Sequence, residues 1–420
     1  MTSETTAPSG PRAGRPLLLL VGSGSRPWRE YLLRSITTGY RLHLFCPAAP
    51  TWEQRYLDGH TVVDTADAAA MTAAARAGGG SFAGVLTYEE TRVVPTAELA
   101  TALGLRTSPP AAVNACRDKY LGRLALGRAG VPQAEAIAVA DLAQAGKAAR
   151  RIGYPVVVKP RALSASCGVT LATGPHEIEE AYRQAAGIWF DDVPRLEAPV
   201  LVEEFLDGPE VSVDAFCRDG RVTALFVAHK DLGFAPGFEE IGHTVRADDP
   251  LLHDERLLGV LQDAHAAVGL TDAVTHTELR LTADGPKVVE INARIGGGRI
   301  PYLGRLVTGT EIGLVAADLA VGAVPEIPRP AGSTTAAVRF LYPERDMRLA
   351  SVEIDEAALP APVREVLPLA EPGRELRLPP VDNARSRFAL VIAVAEDERD
   401  CAAALDEAAA AVTAKGTPLP

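Results

Sequence analysis

The stretch from His276 to Pro301, HTELRLTADGPKVVEINARIGGGRIP, constrains this chain more than any other. Two runs with strand character, THTELRL and KVVEIN, flank ADG, a short turn that ends in glycine. A turn centred on Asp284 sets Glu278 opposite Glu290, Arg280 opposite Val288 and His276 opposite Asn292. Like charges directly across a hairpin repel, so a bare Glu278–Glu290 pair destabilises it. A divalent cation between them resolves the conflict. Glu278, Glu290 and Asn292 are hard oxygen donors of the kind that suit Mg²⁺, and magnesium held by few carboxylates usually arrives with nucleotide phosphates. The competing reading is a solvent-facing edge strand with scattered charge. Against it, the polar residues run on into a glycine cluster.

Bulk properties limit the alternatives. At 420 residues the chain is long enough for roughly two to four packed units. A net charge of −12 argues against nucleic acid or an anionic membrane as the main partner, and it requires any phosphate site to be basic locally. Five cysteines, odd in number and without a CxxC pair, speak against structural zinc and a disulfide framework, and fit a reducing cytoplasm. The apolar run PLLLLVG is too short to span a bilayer, and no targeting segment is visible.

Residues 16–110 alternate strands and helices, which implies a parallel sheet with helices on its faces. The GSGS after the first strand lacks the third glycine of a dinucleotide fingerprint, so a strand-end turn is favoured over a nicotinamide site. The run AAVNACRDKYLGRLALGRAG reads as one helix ended by Gly130, and another helix is expected at 141–152. Residues 196–327 are rich in strands, interrupted by a helix at 251–269. The segment 325–330 is proline-rich and reads as a linker to a strand, TTAAVRFLYPE, and a final helix.

Several residues are suited to chemistry. Lys159 ends the strand VVVKP just before SASCG, a loop of small residues whose backbone can approach phosphate. Lys119 lies in RDKY. The run VEEFLDGPEVSVD is a strand break where backbone groups can read a base and a carboxylate can take ribose hydroxyls. In FEEIGHTVRA, read as a glycine-containing loop, Glu240 and His243 can orient or deprotonate an amine. Arg294 can fork onto a carboxylate or a transferring phosphoryl group, and the glycines after it leave room for substrate.

Taken in order, RDKY, VVVKP with its small-residue loop, VLVEEFLDGPEVSVD and HTELRL…VVEINARIGGG resemble the ATP-grasp superfamily over roughly 16–327. Within it the chain is most similar to L-amino acid ligases, which join amino acids into dipeptides. Residues 1–15, polar and rich in Pro and Gly, read as a disordered tail. The resemblance implies an α/β and α+β architecture: a parallel pre-ATP-grasp α/β domain (16–112), two ATP-grasp lobes with antiparallel sheets (113–200 and 201–328) and a small C-terminal α+β extension (329–420). It implies ATP and Mg²⁺, with Mn²⁺ as a substitute. Lys119, Lys159 and the lid serines Ser164 and Ser166 would contact phosphates. Glu203, Glu204 and Leu206 would hold adenine, Glu210 would bind ribose, and Glu278, Glu290 and Asn292 would coordinate the metal. Glu240 and His243 would face an amino-acid substrate, and Arg294 would anchor a carboxylate or its phosphorylated form. The lid ALSASCGV has fewer glycines than in many relatives. The implied partners are a small-molecule carboxylate and an amine, with a homodimer left open. ATP-grasp carboxylases and purine-precursor ligases share the nucleotide parts and are the alternative, along with a non-catalytic ATP-binding module.

Overall fold

The computed structural model describes residues 14–190, 196–329 and 332–420. Nearly all of the expected N-terminal tail therefore lies outside the described residues.

Strands β1 (Leu17–Val21), β2 (Arg41–Cys46), β3 (Gly59–Val62) and β4 (Gly84–Leu86) form a parallel sheet in the order β3-β2-β1-β4. Helix α1 (Arg26–Ile36) connects β1 to β2, α2 (Ala68–Ala77) connects β3 to β4, and α3 (Val93–Ala102) follows β4. β1 is buried along nearly its whole length, as a strand covered on both faces must be. After it, GSGS is a turn and not a nucleotide cradle. Gly22 and Gly24 have positive φ, and the Gly24 amide donates to the Glu89 carboxylate at 2.6 Å.

The run expected as one helix is two, α4 (Pro110–Arg117) and α5 (Lys119–Ala129). Asp118 takes an extended conformation between them, and its carboxylate accepts from the amides of Tyr120 and Leu121. An Asp placed to cap a new N-terminus outweighs the continuous helical pattern. Next come β5 (Ala136–Val139), α6 (Leu142–Ile152), β6 (Val156–Pro160), β7 (Thr170–Ala172), α7 (Ile178–Gly187) and β8 (Val200–Glu204). They form an antiparallel sheet, β5-β8-β6-β7, whose apolar core is separate from the rest.

An eight-stranded antiparallel sheet carries the remainder: β9 (Glu210–Arg218), β10 (Arg221–Gly233), β11 (Glu239–Arg246), β12 (Ala273–Thr282), β13 (Gly285–Asn292), β14 (Thr335–Leu341), β16 (Val363–Pro368) and β18 (Ala389–Ala395), in the order β13-β12-β9-β10-β11-β14-β18-β16. The strands after residue 330 thus extend the sheet of the preceding segment. β15 (Met347–Ile354), β17 (Glu375–Leu376) and β19 (Val412–Pro418) make a small separate sheet. Helix α8 (Glu255–Val268) packs beside α5, and α9 (Ile300–Thr308) and α10 (Ile312–Ala320) fill the space between the eight-stranded and parallel sheets. Helix α11 (Glu398–Ala410) covers β14 and β18.

Two local expectations fail here. The segment containing Glu240 and His243 is strand β11, not a loop. In the β12–β13 hairpin His276 faces Asn292 and Glu278 faces Glu290, as expected, but Arg280 faces Lys287 instead of Val288. The turn proper is Ala283–Asp284, one residue tighter than supposed, with Gly285 at a φ of +112°. A bulge at Val289 absorbs the extra residue and returns Glu290 to the face of Glu278.

Candidate active site

Side chains alternate along a strand, so β9 presents Glu210, Ser212 and Asp214 on one face, and β12 presents His276, Glu278 and Arg280 beside them. Glu290 and Asn292 of β13 join this face because of the bulge. A second bulge, at Ile241, does the same for β11. Glu240 and His243 are three apart and would otherwise point oppositely, but Glu240 pairs with Leu232 and His243 with Lys230. Both then lie on the site face, with Glu240 Oε2 3.4 Å from His243 Nε2.

Lys119, Lys159, Ser164, Ser166, Glu203, Glu204, Leu206, Glu210, Glu240, Glu278, Glu290, Asn292 and Arg294 all line one cavity of about 930 Å³, open mouth included. His243 does not line it. It is fully buried, edge-on to Phe340, with no hydrogen bond at either ring nitrogen. A Cβ on Gly298 would come within 2.4 Å of His243 Nε2, so this histidine sits under the glycine cluster instead of facing a substrate. The cluster itself needs reinterpretation. A Cβ on Gly296 would meet Asp214 and His276 at 2.8 Å, and only Gly297 has open space around it. Two of the three glycines permit protein packing, and one leaves room.

On the first-lobe side, Lys159 Nζ lies 2.7 Å from Glu203 Oε2. Arg123 donates to both Glu203 oxygens, at 2.8 and 3.1 Å. The Glu203 side chain is thus the centre of a buried ion cluster, and its backbone is paired within the sheet, opposite Val157 of β6 and Ala136 of β5. Burial would raise its carboxyl, but Arg123 and Lys159 hold it down to about 2. Arg123 also donates to the carbonyls of Val288 and Val289, at 2.8 Å each. It therefore pins the bulge that aims Glu290. Lys119 sits 3.0 Å from Glu290 and donates to the Leu163 carbonyl at the root of the lid. In the lid, Ala165 and Ser166 both have positive φ, an uncommon backbone for residues with a Cβ. Glu204 pairs with Lys287 at 3.3 Å.

On the second-lobe side the organising residue is Lys230. Its ammonium is fully buried, 2.7 Å from Glu240, 3.1 Å from Glu278 and 3.1 Å from Glu210. Burial alone would lower its pKa, but the three carboxylates hold it well above the usual lysine value. Glu210 also pairs with Arg280 at 2.8 Å. Burial opposes charge on His276, yet Asp214 at 2.9 Å and Glu278 raise its pKa to about 9. The Glu278–Glu290 conflict is thus relieved by protein cations, Lys230 and Lys119, which the sequence did not single out for that task.

The metal expectation can be tested on these residues. Asn292 is buried and its Oδ1 has no hydrogen-bond partner. An orphaned buried acceptor beside two carboxylates is costly unless something electropositive meets it. The donor set fits a hard divalent cation.

The parallel domain contributes residues the sequence reading passed over. Glu90 pairs with Arg294, and Arg29 Nη1 donates to the Gly296 carbonyl at 3.1 Å. Burial works against charge on Arg294, but Glu90 raises its pKa further. Arg294 is therefore a fixed cation at the end of the cavity. In the sequence Glu90 ends AGVLTYEE, a run with strand character, and nothing local marks it as reaching a residue 204 positions away.

Comparison with known proteins bears directly on this arrangement. Residues 152–301 match the ATP-grasp domain, and residues 339–415 match the L-amino acid ligase C-terminal domain 2. The chain thus carries an ATP-grasp domain followed by an L-amino acid ligase C-terminal domain. It is 28% identical over 395 residues to an uncharacterised protein of Sinorhizobium fredii, covering 91% of this chain and 79% of that one. It is 29% identical to the alanine–anticapsin ligase of Bacillus subtilis, over 51% of this chain and 48% of that protein. The chain thus spans about half the length of that ligase. The L-amino acid ligase of Bacillus licheniformis shares the fold, with a TM-score of 0.78 at 22% identity over 96% of this chain and 99% of that one. Among the described residues no helix is long and apolar enough to cross a membrane.

Proposed function

We propose that the protein uses ATP to join a carboxylate, that of an amino acid, to an amine, through an acyl-phosphate intermediate, releasing ADP and phosphate. The observation that carries this reading is the division of one cavity into a lysine-lined half and a half where Glu278, Glu290 and an unpartnered Asn292 oxygen meet. On this reading residues 113–200 and 201–328 are lobes clamping ATP, flanked by 16–112 and 329–420. The resemblance to amino-acid ligases in sequence and in the C-terminal domain supports the substrate class.

Lys119 and Lys159 neutralise the phosphates, and backbone groups at Phe205–Leu206 receive the base. Glu278, Glu290 and Asn292 would hold Mg²⁺, which supplies charge neutralisation at the transferring phosphoryl group. A carboxylate oxygen of the substrate attacks the γ-phosphorus as the bond to ADP breaks. Arg294, charged and held by Glu90, orients the carboxylate and stabilises the phosphoryl oxygens. The amine then attacks the acyl carbon, phosphate leaves, and the amine proton passes toward Glu240. The lid keeps water from the mixed anhydride. Cys167, in the lid, has no step to perform; burial raises its thiol pKa.

Phosphate release measured across pairs of amino acids, with mass spectrometry of the products, tests the reading. Amide products with matching ADP support it. Turnover that needs bicarbonate and ignores amino acids overturns it.

A further inference from the structure

The lid, residues 162–169, is held at three places by different parts of the chain. At its root, Arg117 donates to the Ala162 carbonyl at 2.6 Å and Lys119 to that of Leu163. Past its far end the Leu171 amide donates to the Pro236 carbonyl at 2.9 Å, and Thr170 bridges to Gly237, so β7 rests on the turn between β10 and β11. Both anchors lie within residues 113–328. The tip is held from outside that range: Asn383 Nδ2, in the C-terminal extension, donates to the Ser166 carbonyl at 3.2 Å.

The tip needs such a partner. The Cys167 amide donates to the Ser164 carbonyl at 3.3 Å, closing a tight turn whose central residues, Ala165 and Ser166, have φ of +56° and +52°. Left-handed backbone at both central positions is normally supplied by Asn and Gly, because a Cβ there crowds the following carbonyl. A turn built from Ala and Ser is less stable than the same turn made of glycines, and it persists only where its surroundings over-determine it.

Asn383 is equipped to do so. It is buried, and it opens a single 3₁₀ turn, Asn383–Ser386. Its own φ is +43°, which Asn tolerates better than most residues. The buried Ser386 hydroxyl donates to the Asn383 carbonyl at 2.7 Å, and Arg387 ties the turn to β11 through Glu239 at 2.7 Å. The donor is thus mounted on the eight-stranded sheet, not on the β5-β8-β6-β7 sheet that carries the lid. A second contact comes from Arg385, an exposed residue whose guanidinium sits over the Phe190 ring at 4.8 Å. Phe190 packs in a small apolar cluster with Leu163 and Cys167 of the lid.

We propose that the turn Asn383–Ser386 is a latch: Asn383 and Arg385 hold the tip of the lid over the nucleotide cavity, and Asn383 is a positioning residue that acts through Ser166 to keep water from the activated carboxylate. Leu163, Ser164, Ala165, Ser166 and Cys167 all line that cavity, so a lid released at its tip opens the cavity to solvent while its root stays in place. The C-terminal extension thereby completes the closed site. The latch does not depend on the ligase reading above, but the identity of what it protects does.

Hydrogen–deuterium exchange read by mass spectrometry, on the full chain with Mg²⁺ and a non-hydrolysable ATP analogue, tests the latch. The reporters are peptides covering 161–169, in which the Cys167 and Val169 amides are bonded inside the lid. Asn383→Asp keeps the size and the tolerance of positive φ but removes the donor, and lid exchange should quicken about tenfold. Arg385→Ala changes an exposed side chain and should quicken it about threefold. Peptides from β9 and β12 should exchange as in the wild type. Lid exchange unchanged in both variants overturns the latch; so does equal quickening in the β9 and β12 peptides, which marks general destabilisation. In turnover with an amino-acid pair that yields amide, phosphate released per amide formed should rise about twofold or more in Asn383→Asp, because the acyl phosphate then meets water. An unchanged ratio overturns the positioning role. Faster lid exchange with no amide from any of the proteins, wild type included, sinks the ligase reading and leaves the latch standing.

Discussion

Two buried lysines hold carboxylates that line the same cavity and live in opposite surroundings. Lys159, on β6, meets a single carboxylate, Glu203, which it shares with Arg123. Burial pulls its pKa below the usual lysine value, and the neighbouring Arg123 and Lys119 add to the effect even as Glu203 opposes it. Lys230, on β10, meets three carboxylates and is held well above the usual value. The first lobe thus keeps an excess of positive charge and the second an excess of negative. That is the division needed to take the two components of a metal–nucleotide complex, phosphates on one wall and a divalent cation on the other.

The largest effect is expected at the acidic wall. Glu290→Gln removes a full charge from the proposed metal ligands, and ADP release should fall on the order of 100- to 1,000-fold. Wild-type turnover in that variant would remove the metal from the comparison altogether. Replacing each lysine with methionine probes the two surroundings directly. Lys230→Met removes the cation shared by three half-buried carboxylates, of which Glu210 keeps Arg280 and Glu278 keeps His276, and should cost about 3 kcal/mol in urea unfolding. Lys159→Met leaves Glu203 held by Arg123 and should cost much less. Equal losses would mean that the two sites do not differ as described.

Acid unfolding sharpens the basic wall. The folded-state pKa of Glu203 is about 2, below the ordinary value of 4.5, so its contribution is fully present above pH 4.5 and is lost as pH falls toward 2. The linked stability is about 3 kcal/mol. Unfolding free energies of wild type and Glu203→Gln across this range should converge as pH falls; parallel curves would show that Glu203 is not held down. The smallest effect is expected for Arg294→Ala. It should leave ATP binding measurable while amide yield drops about 10- to 100-fold. An unchanged yield would confine Arg294 to bracing Glu90.

Much of the site was legible because its residues fall into local patterns. The runs VVVKP, VEEFL, HTELRL and VVEIN put Lys159, Glu203, Glu278, Glu290 and Asn292 on strands, where periodicity decides their facing, and RDKY puts Lys119 at the start of α5. Lys230 was the avoidable omission. It continues the buried face of Phe226 and Ala228, and a lysine in such a register needs acidic partners.

Other features had no local signature. The bulges at Ile241 and Val289 decide that Glu240 joins His243 and that Glu290 faces Glu278, and a bulge is one residue of slack that periodicity cannot locate. His243 was expected to face substrate, but the position of Gly298 covers it.

The sequence by itself determined the succession of strands and helices, the glycine-ended hairpin and the acids it pairs, because hydrophobic period and turn chemistry act over a few residues. Only the tertiary structure decided which cations answer those acids and what holds the tip of the lid. Arg123 reaches Val288 across 165 positions, Arg294 reaches Glu90 across 204 and Asn383 reaches Ser166 across 217. Contacts at such separations are set by how the sheets pack against one another, and no local preference of the chain records them.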